Sequence, residues 1–228
     1  MVRPDPPAPS THPLRPAGGA LSQPRATGAR WLGPILAVFA LSLLYAGAIR
    51  TGFLNDDYIF LDKTRSASFA SLWAPKDLAF HWYRPWSREL HYWTLQKVFG
   101  TKEAPFHVVS FLIALASLLA FFALVRRLAG VRVAAIATAG WAALAAWAVP
   151  IVWVAGVQDL WMLLFAFLCL GALALGWAWV SGLLFLLALL SKESAAVLPA
   201  IAVGYELLVA RRGPRESFQR TLPPVGAR

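Results

Sequence analysis

Charge is scarce in this chain and cysteine nearly absent. Only 14% of the 228 residues are charged, with 11 acids against 21 lysines and arginines, whereas a domain that folds in water carries about a quarter. That shortage excludes an ordinary soluble domain. The single cysteine, Cys169, excludes an internal disulfide framework and leaves the redox compartment open; inside an apolar run it reads as lipid-facing or packed filler. No internal repeat is visible. A basic stripe or domain is missing as well: the formal charge of +10 comes from arginines in short clusters beside apolar runs. Such clusters argue against a nucleic-acid partner and fit the excess of Lys and Arg on the cytoplasmic side of membrane proteins.

Apolar residues fill the gap, at 59% of the chain with 11 tryptophans and a mean hydropathy of +0.60. These values describe a membrane protein with aromatic rings collected at its two interfaces. Residues 1–30, rich in Pro, Ala, Gly and Arg, have too little apolar surface to offset the entropy of folding, so a disordered cytoplasmic tail is expected. The uncharged run 31–49 begins too late and runs too long for a signal peptide, and reads as a retained span.

Further uncharged runs at 106–125 and 133–149 approach the ~20 residues that cross ~30 Å of hydrocarbon. Between them lie Arg126, Arg127 and Arg132 without an acid, a pattern expected of a cytoplasmic loop. Residues 51–105 then form a long outer loop. Its Trp86, Leu90, Trp93 and Lys97 or Val98 recur at helical spacing, which predicts a helix lying in the interface or packed on the spans. The uncharged stretch 160–191 is too long for one span and short for two. Two helices, 160–178 and 181–191 with a reversal near 179–182, keep Arg211, Arg212 and Arg215 inside and return Lys192 and Glu193 to the outer face. The second helix is short, roughly 15–18 Å at 1.5 Å per residue, so Lys192 and Glu193 are expected at membrane depth. A last span at 194–210 and a basic tail, 211–228, complete an all-α polytopic fold of about six transmembrane helices.

Several polar groups gather at the outer level of this topology. Asp56 and Asp57 sit in Gly52-Phe-Leu-Asn-Asp-Asp-Tyr-Ile-Phe-Leu-Asp; two carboxylates so close to a bilayer either bind a cation, share proton chemistry, or form a solvated loop and helix cap. Tyr83 and Arg84, Gln158 and Asp159, and Lys192 and Glu193 come from different segments to the same level. Arg84 reads as a bidentate phosphate contact or a snorkelling side chain. Asp159 reads as a site acid or a helix N-terminal acid. Lys192 and Glu193 read as a functional pair at membrane depth or as a mutual ion pair joining two helices. His81 and His91 could complete a divalent-cation site with the two aspartates, but no ligand spacing supports it and interfacial histidines are the preferred reading. His107 is expected to bond a neighbouring loop, and Glu206 to pair with Arg211 or Arg212.

The runs Phe53-Leu-Asn-Asp-Asp-Tyr-Ile, Tyr83-Arg-Pro, Val98-Phe-Gly, Phe106-His-Val-Val-Ser, Arg126-Arg127-Leu, Val152-Trp-Val-Ala-Gly-Val-Gln-Asp-Leu and Leu187-Ala-Leu-Leu-Ser-Lys-Glu-Ser-Ala-Ala-Val-Leu-Pro occur in a telling order. Over residues 31–210 they resemble the start of GT-C class glycosyltransferases, closest to the transmembrane tetratricopeptide-repeat O-mannosyltransferases and their bacterial relatives. The resemblance implies a truncated GT-C fold, an N-terminal part of a longer enzyme, in a bacterial inner membrane with its N-terminus cytoplasmic. It implies a polyprenyl-phosphate sugar as donor, a protein or glycolipid hydroxyl as acceptor, and Asp56 as general base beside Asp57. Arg84 and Lys192 would then hold the donor phosphate, with Tyr83, Asp159 and Glu193 orienting these groups or binding substrate. Ser110, Ala114 and Val157 depart from a frequent Asn, His and Arg, which weakens any carry-over of donor and acceptor specificity from the eukaryotic enzymes. A non-catalytic assembly or lipid-binding protein, or a small transporter using Lys192 and Glu193, are the competing expectations.

Overall fold

An uncharged chain in hydrocarbon must satisfy its backbone amides internally, and the helix is the local way to do so. The computed structural model describes residues 29–75 and 82–208, and all regular structure among them is helical. The expected N-terminal and C-terminal tails, His81 and the Glu206 pairing lie outside the described residues and side chains. Helix α1 (Ala29–Tyr45) is prolonged by a 3-10 turn to Arg50. The segment 51–105, the expected outer loop and termed the outer segment, carries α2 (Asp56–Arg65) and a π turn (Pro85–Leu90) that runs into α3 (His91–Phe99). Then follow α4 (Glu103–Ala129), α5 (Val131–Ala142), α6 (Ala148–Val152), α7 (Val157–Ala174), α8 (Ala178–Ser191) and α9 (Leu198–Leu208).

Among the described residues, three helices are long and apolar enough to cross a membrane: Trp31–Arg50, Glu103–Ala129 and Val154–Ala174. A fourth crossing results if Val131–Ala142 and Ala145–Val152, bent by 59°, form one span. The expected straight helix at 133–149 is therefore broken. Trp147 donates its indole N–H to the Trp141 carbonyl at 2.8 Å, replacing a helical amide at the break. The break also places Pro150 in the first turn of α6, where its missing N–H removes no helical bond.

The two remaining expected spans fall below spanning length among the described residues. Helix α8 has 14 residues, about 21 Å, and Glu193–Tyr205 is likewise below spanning length. The reversal between α7 and α8 lies at 175–177, earlier than 179–182. Gly176 adopts φ +81°, and a Schellman closure forms there: Trp177 N–H donates to Ala172 O and Gly176 N–H to Leu173 O, both at 2.9 Å. Gly176 allows the turn without the penalty a side chain meets at positive φ.

Helices α4, α7 and α8 pack side by side, and α1 packs on α5 and α4. Leu41, Ile113, Leu118, Ile151 and Leu160 form the core between them. A second core, with Phe53, Phe60, Tyr92, Phe106 and Val154, joins the outer segment to the helix ends. There Tyr92 meets Phe60 edge-to-face at 5.4 Å, a geometry worth about 0.5–1.5 kcal/mol beyond burial. A third core sets Trp86 of the π turn against Trp161 and Phe165 of α7. Ser87, fully buried, donates to the Ser191 carbonyl at 2.6 Å. The outer segment is thus fastened to the ends of α7 and α8.

Candidate functional site

The turn before α2 divides the labour of the two aspartates. Asp57 N–H donates to Leu54 O at 2.9 Å, closing a tight turn in which Asn55 takes φ 43°, ψ −109°. Asn55 is the one non-glycine residue at positive φ among the described residues. Leu54 N–H returns a bond to Asp57 Oδ2 at 2.8 Å. The other carboxylate oxygen, Oδ1, accepts from Tyr92 Oη at 2.6 Å and from Ala155 N–H at 2.7 Å. Asp57 is fully buried. Burial raises its carboxyl above the ordinary range, and the bonds from Leu54, Tyr92 and Ala155, with the nearby His107, offset part of that rise. It ties the outer segment to the junction of α6 and α7 and does not line the cleft described next.

Asp56 lies in the opposite situation. It lines a cleft of about 200 Å³ with Trp82, Arg84, Gln158, Asp159 and Lys192. Its carboxylate makes no hydrogen bond among the described residues. Trp153, Ala155 and Gly156 form a second part of the wall. A Cβ on Gly156 would come within 2.6 Å of Pro150 Cα, so only glycine permits this approach of the two short helices.

The cations of the cleft are paired crosswise. Arg84 grips Glu193 with Nε and Nη2, at 2.9 and 2.6 Å, and donates Nη1 to Gln158 Oε1 at 2.8 Å. Lys192 Nζ reaches Asp159 Oδ1 at 2.5 Å. Lys192 and Glu193 therefore do not pair with each other. Extended backbone at Lys192 (φ −161°, ψ 136°) separates α8 from the next turn and lets neighbouring side chains diverge. For Glu193, burial pushes the pKa up, but the Arg84 bond and the charges of Arg84 and Lys192 outweigh it, and the carboxyl sits below its ordinary range.

Arg88 also lines the cleft and was not singled out from the sequence. Its side chain is buried, donates Nε and Nη2 to Glu89 Oε1 and Nη2 to Trp82 O, and lies 5.2 Å over the Phe60 ring. Its spacing of four from Arg84 was the available signal, since that spacing shares a helix face. Tyr83 stands outside: its hydroxyl donates to Trp73 O at 3.0 Å and it is absent from the cleft wall.

The donors expected for a divalent cation do not assemble. His91 is buried against Tyr92 and Phe106, its Nδ1 accepts from Trp161 at 3.3 Å, and burial lowers its pKa to about 3. Both Asp57 oxygens are already taken by protein donors. Among the described residues no group of three or more His, Cys, Asp or Glu could hold a metal ion. His107 Nε2 meets Thr51 Oγ1 at 3.1 Å, in the loop after α1.

Chemically, the cleft offers one carboxylate without a hydrogen bond among the described residues and three guanidinium or ammonium groups, each paired with an acid. That arrangement suits an anionic ligand next to a group that must lose a proton. Compared with known proteins, the chain matches no family model, no curated protein and no solved structure.

Proposed function

We propose that the protein is a membrane glycosyltransferase, the N-terminal part of a GT-C type fold with six helices in the membrane, that transfers a hexosyl unit such as mannose from a polyprenyl phosphate. The observation that supports this reading is that Asp56, without a hydrogen bond among the described residues, shares the wall of one cleft with Arg84, Arg88 and Lys192. In the reaction, Asp56 takes the proton of an acceptor hydroxyl as its oxygen bonds the anomeric carbon. The bond from that carbon to the lipid phosphate breaks, and its electron pair stays on the phosphate oxygen. Arg84 and Lys192 stabilise the charge that develops there, and Glu193 and Asp159 hold these cations in place beforehand. Asp57 acts through the backbone, setting the turn that presents Asp56.

The test is transfer of labelled mannose from a polyprenyl-phosphate donor to a hydroxyl acceptor by the chain in lipid nanodiscs. Replacing Asp56 with Asn should lower transfer by about 10²-fold or more with unchanged expression and thermal midpoint. Equal transfer by the variant removes Asp56 as base. A chain that binds polyprenyl phosphate yet transfers nothing supports the non-catalytic, lipid-binding alternative. Lys192 and Glu193 hold different partners, and uptake of a substrate lost only on changing Lys192 would favour the transporter alternative.

A further inference from the structure

A second cavity lies at the opposite end of α4, α7 and α8 from the cleft. It is a groove of about 320 Å³, within the roughly 300–1,000 Å³ of small-molecule sites. Its floor is made by Ala123, Gly171 and Ala172, whose small side chains leave a slot, and its sides by Leu168, Trp177 and Leu184. Trp177 is exposed and sits at the Schellman turn, where an amphipathic ring suits a membrane interface.

One polar side chain reaches this slot. Arg127 lines it, and its Nε and Nη2 both donate to the Ala174 carbonyl, at 3.2 and 3.0 Å. That carbonyl stands in the last turn of α7, so the bonds fix the guanidinium at the groove mouth. Nη1 makes no bond among the described residues. Arg126 beside it stacks 5.9 Å over Phe122, and Arg132 follows in the first turn of α5. The described carboxylates, from Asp56 to Glu193, all lie in the outer segment or at the cleft end of the helices. This end is therefore wholly cationic in its described side chains, over an apolar slot.

We infer that the groove between α4, α7 and α8 holds one acyl chain of an anionic phospholipid, with the lipid phosphate on Arg127. An acyl chain fits the apolar, small-residue slot, and phosphate matches a fixed guanidinium with donors to spare. A zwitterionic lipid would gain the slot but lose net attraction to the arginines. The site is separate from the cleft and does not depend on sugar transfer.

Native mass spectrometry of the full chain in detergent, titrated with phosphatidylglycerol or with phosphatidylcholine of the same acyl chains, tests it. Wild type should retain phosphatidylglycerol about fivefold better or more, from one arginine near the surface. Arg127→Gln should erase the preference while leaving weak binding of both lipids. Gly171→Leu should block both, because a Cβ at Gly171 meets nothing within 4 Å and the added side chain enters open groove without a clash. Equal retention of the two lipids by wild type, or unchanged phosphatidylglycerol binding by Gly171→Leu, overturns the proposal. Displacement of phosphatidylglycerol by inorganic phosphate alone would assign the site to a free anion and overturn it as well.

Discussion

Tyr92 donates its hydroxyl to Asp57 at 2.6 Å, one of three bonds that hold Asp57 in the fold while its neighbour Asp56 lines the cleft. Tyr92 is itself fully buried, locked among Phe60, His91 and Phe106. Asp57 becomes a structural knot, and Asp56 is left facing the cleft. Removing the carboxylate strands three donors. Asp57→Ala should lower stability by at least about 3 kcal/mol, and Tyr92→Phe by about 1.5–3 kcal/mol, read as thermal midpoints in detergent. Loss of midpoint on Asp56→Ala as large as on Asp57→Ala would contradict this division.

The pH dependence has a definite sign. Because burial raises the Asp57 carboxyl in the folded chain above 3.8, the folded state holds that proton to higher pH than the unfolded one. Asp57 thus contributes stability that is fully present below 3.8 and lost as pH rises through its folded value. Glu193 acts in the opposite sense: its folded value lies below 4.5, so its contribution is present above 4.5 and lost as pH falls through the folded value. Midpoints measured across the acid range should show a flatter alkaline-going decline in Asp57→Asn than in wild type. An unchanged slope would mean the buried carboxyl is not raised.

Arg84 and Glu193 should respond oppositely in lipid-phosphate binding. Arg84→Gln removes a bidentate cation and should weaken polyprenyl-phosphate binding about 10-fold or more. Glu193→Gln releases Arg84 from its counter-charge and should tighten binding by about threefold, with little change in stability, since the Glu193 side chain is 48% exposed and such pairs are screened. Equilibrium binding in nanodiscs separates the two, and weaker binding by both variants would mean Glu193 itself touches the ligand.

Asn55 carries the backbone cost of presenting Asp56. A residue at φ 43°, ψ −109° is strained by about 1–3 kcal/mol unless it is glycine. Asn55→Gly should therefore keep or raise the thermal midpoint, whereas Asn55→Val should lower it. A lower midpoint for the glycine variant than for the valine variant would refute the strained turn.

Gly33 sets the distance between α1 and α5. A Cβ there would fall 2.4 Å from Ala135 Cα, a backbone contact that cannot swing away. Gly33→Ala should cost about 1–3 kcal/mol, and adding Ala135→Gly should not restore the loss, because the nearest atom is the Cα. Recovery of the midpoint in the double variant would show that the side chains alone collide.

Much of this arrangement is written in where charge stops and starts. The uncharged runs become α1, α4 and α7, and Asp56, Arg84, Asp159 and Lys192, from four segments, meet in one cleft. Other features lie beyond a one-dimensional reading. The bend at 143–147 depends on a tryptophan reaching back to Trp141, and an apolar run looks the same whether straight or broken. The reversal at Gly176 needed the glycine weighed above the tryptophans that follow it. Which acid holds which cation depends on the extended backbone at Lys192, which no residue pattern announces. Arg88 reaches the cleft only because the π turn at 85–90 buries it, which its place in the sequence does not announce.

Helix α8, at 14 residues or about 21 Å, is some 9 Å shorter than the ~30 Å hydrocarbon slab. With α8 in the bilayer as proposed, the leaflet beside it has to dip or the helix end must stay sunken, and the cleft at its terminus would sit in that depression. In that arrangement, membranes built from longer acyl chains would stretch this site, and bilayer thickness would become a dial on how Lys192 and Asp159 meet.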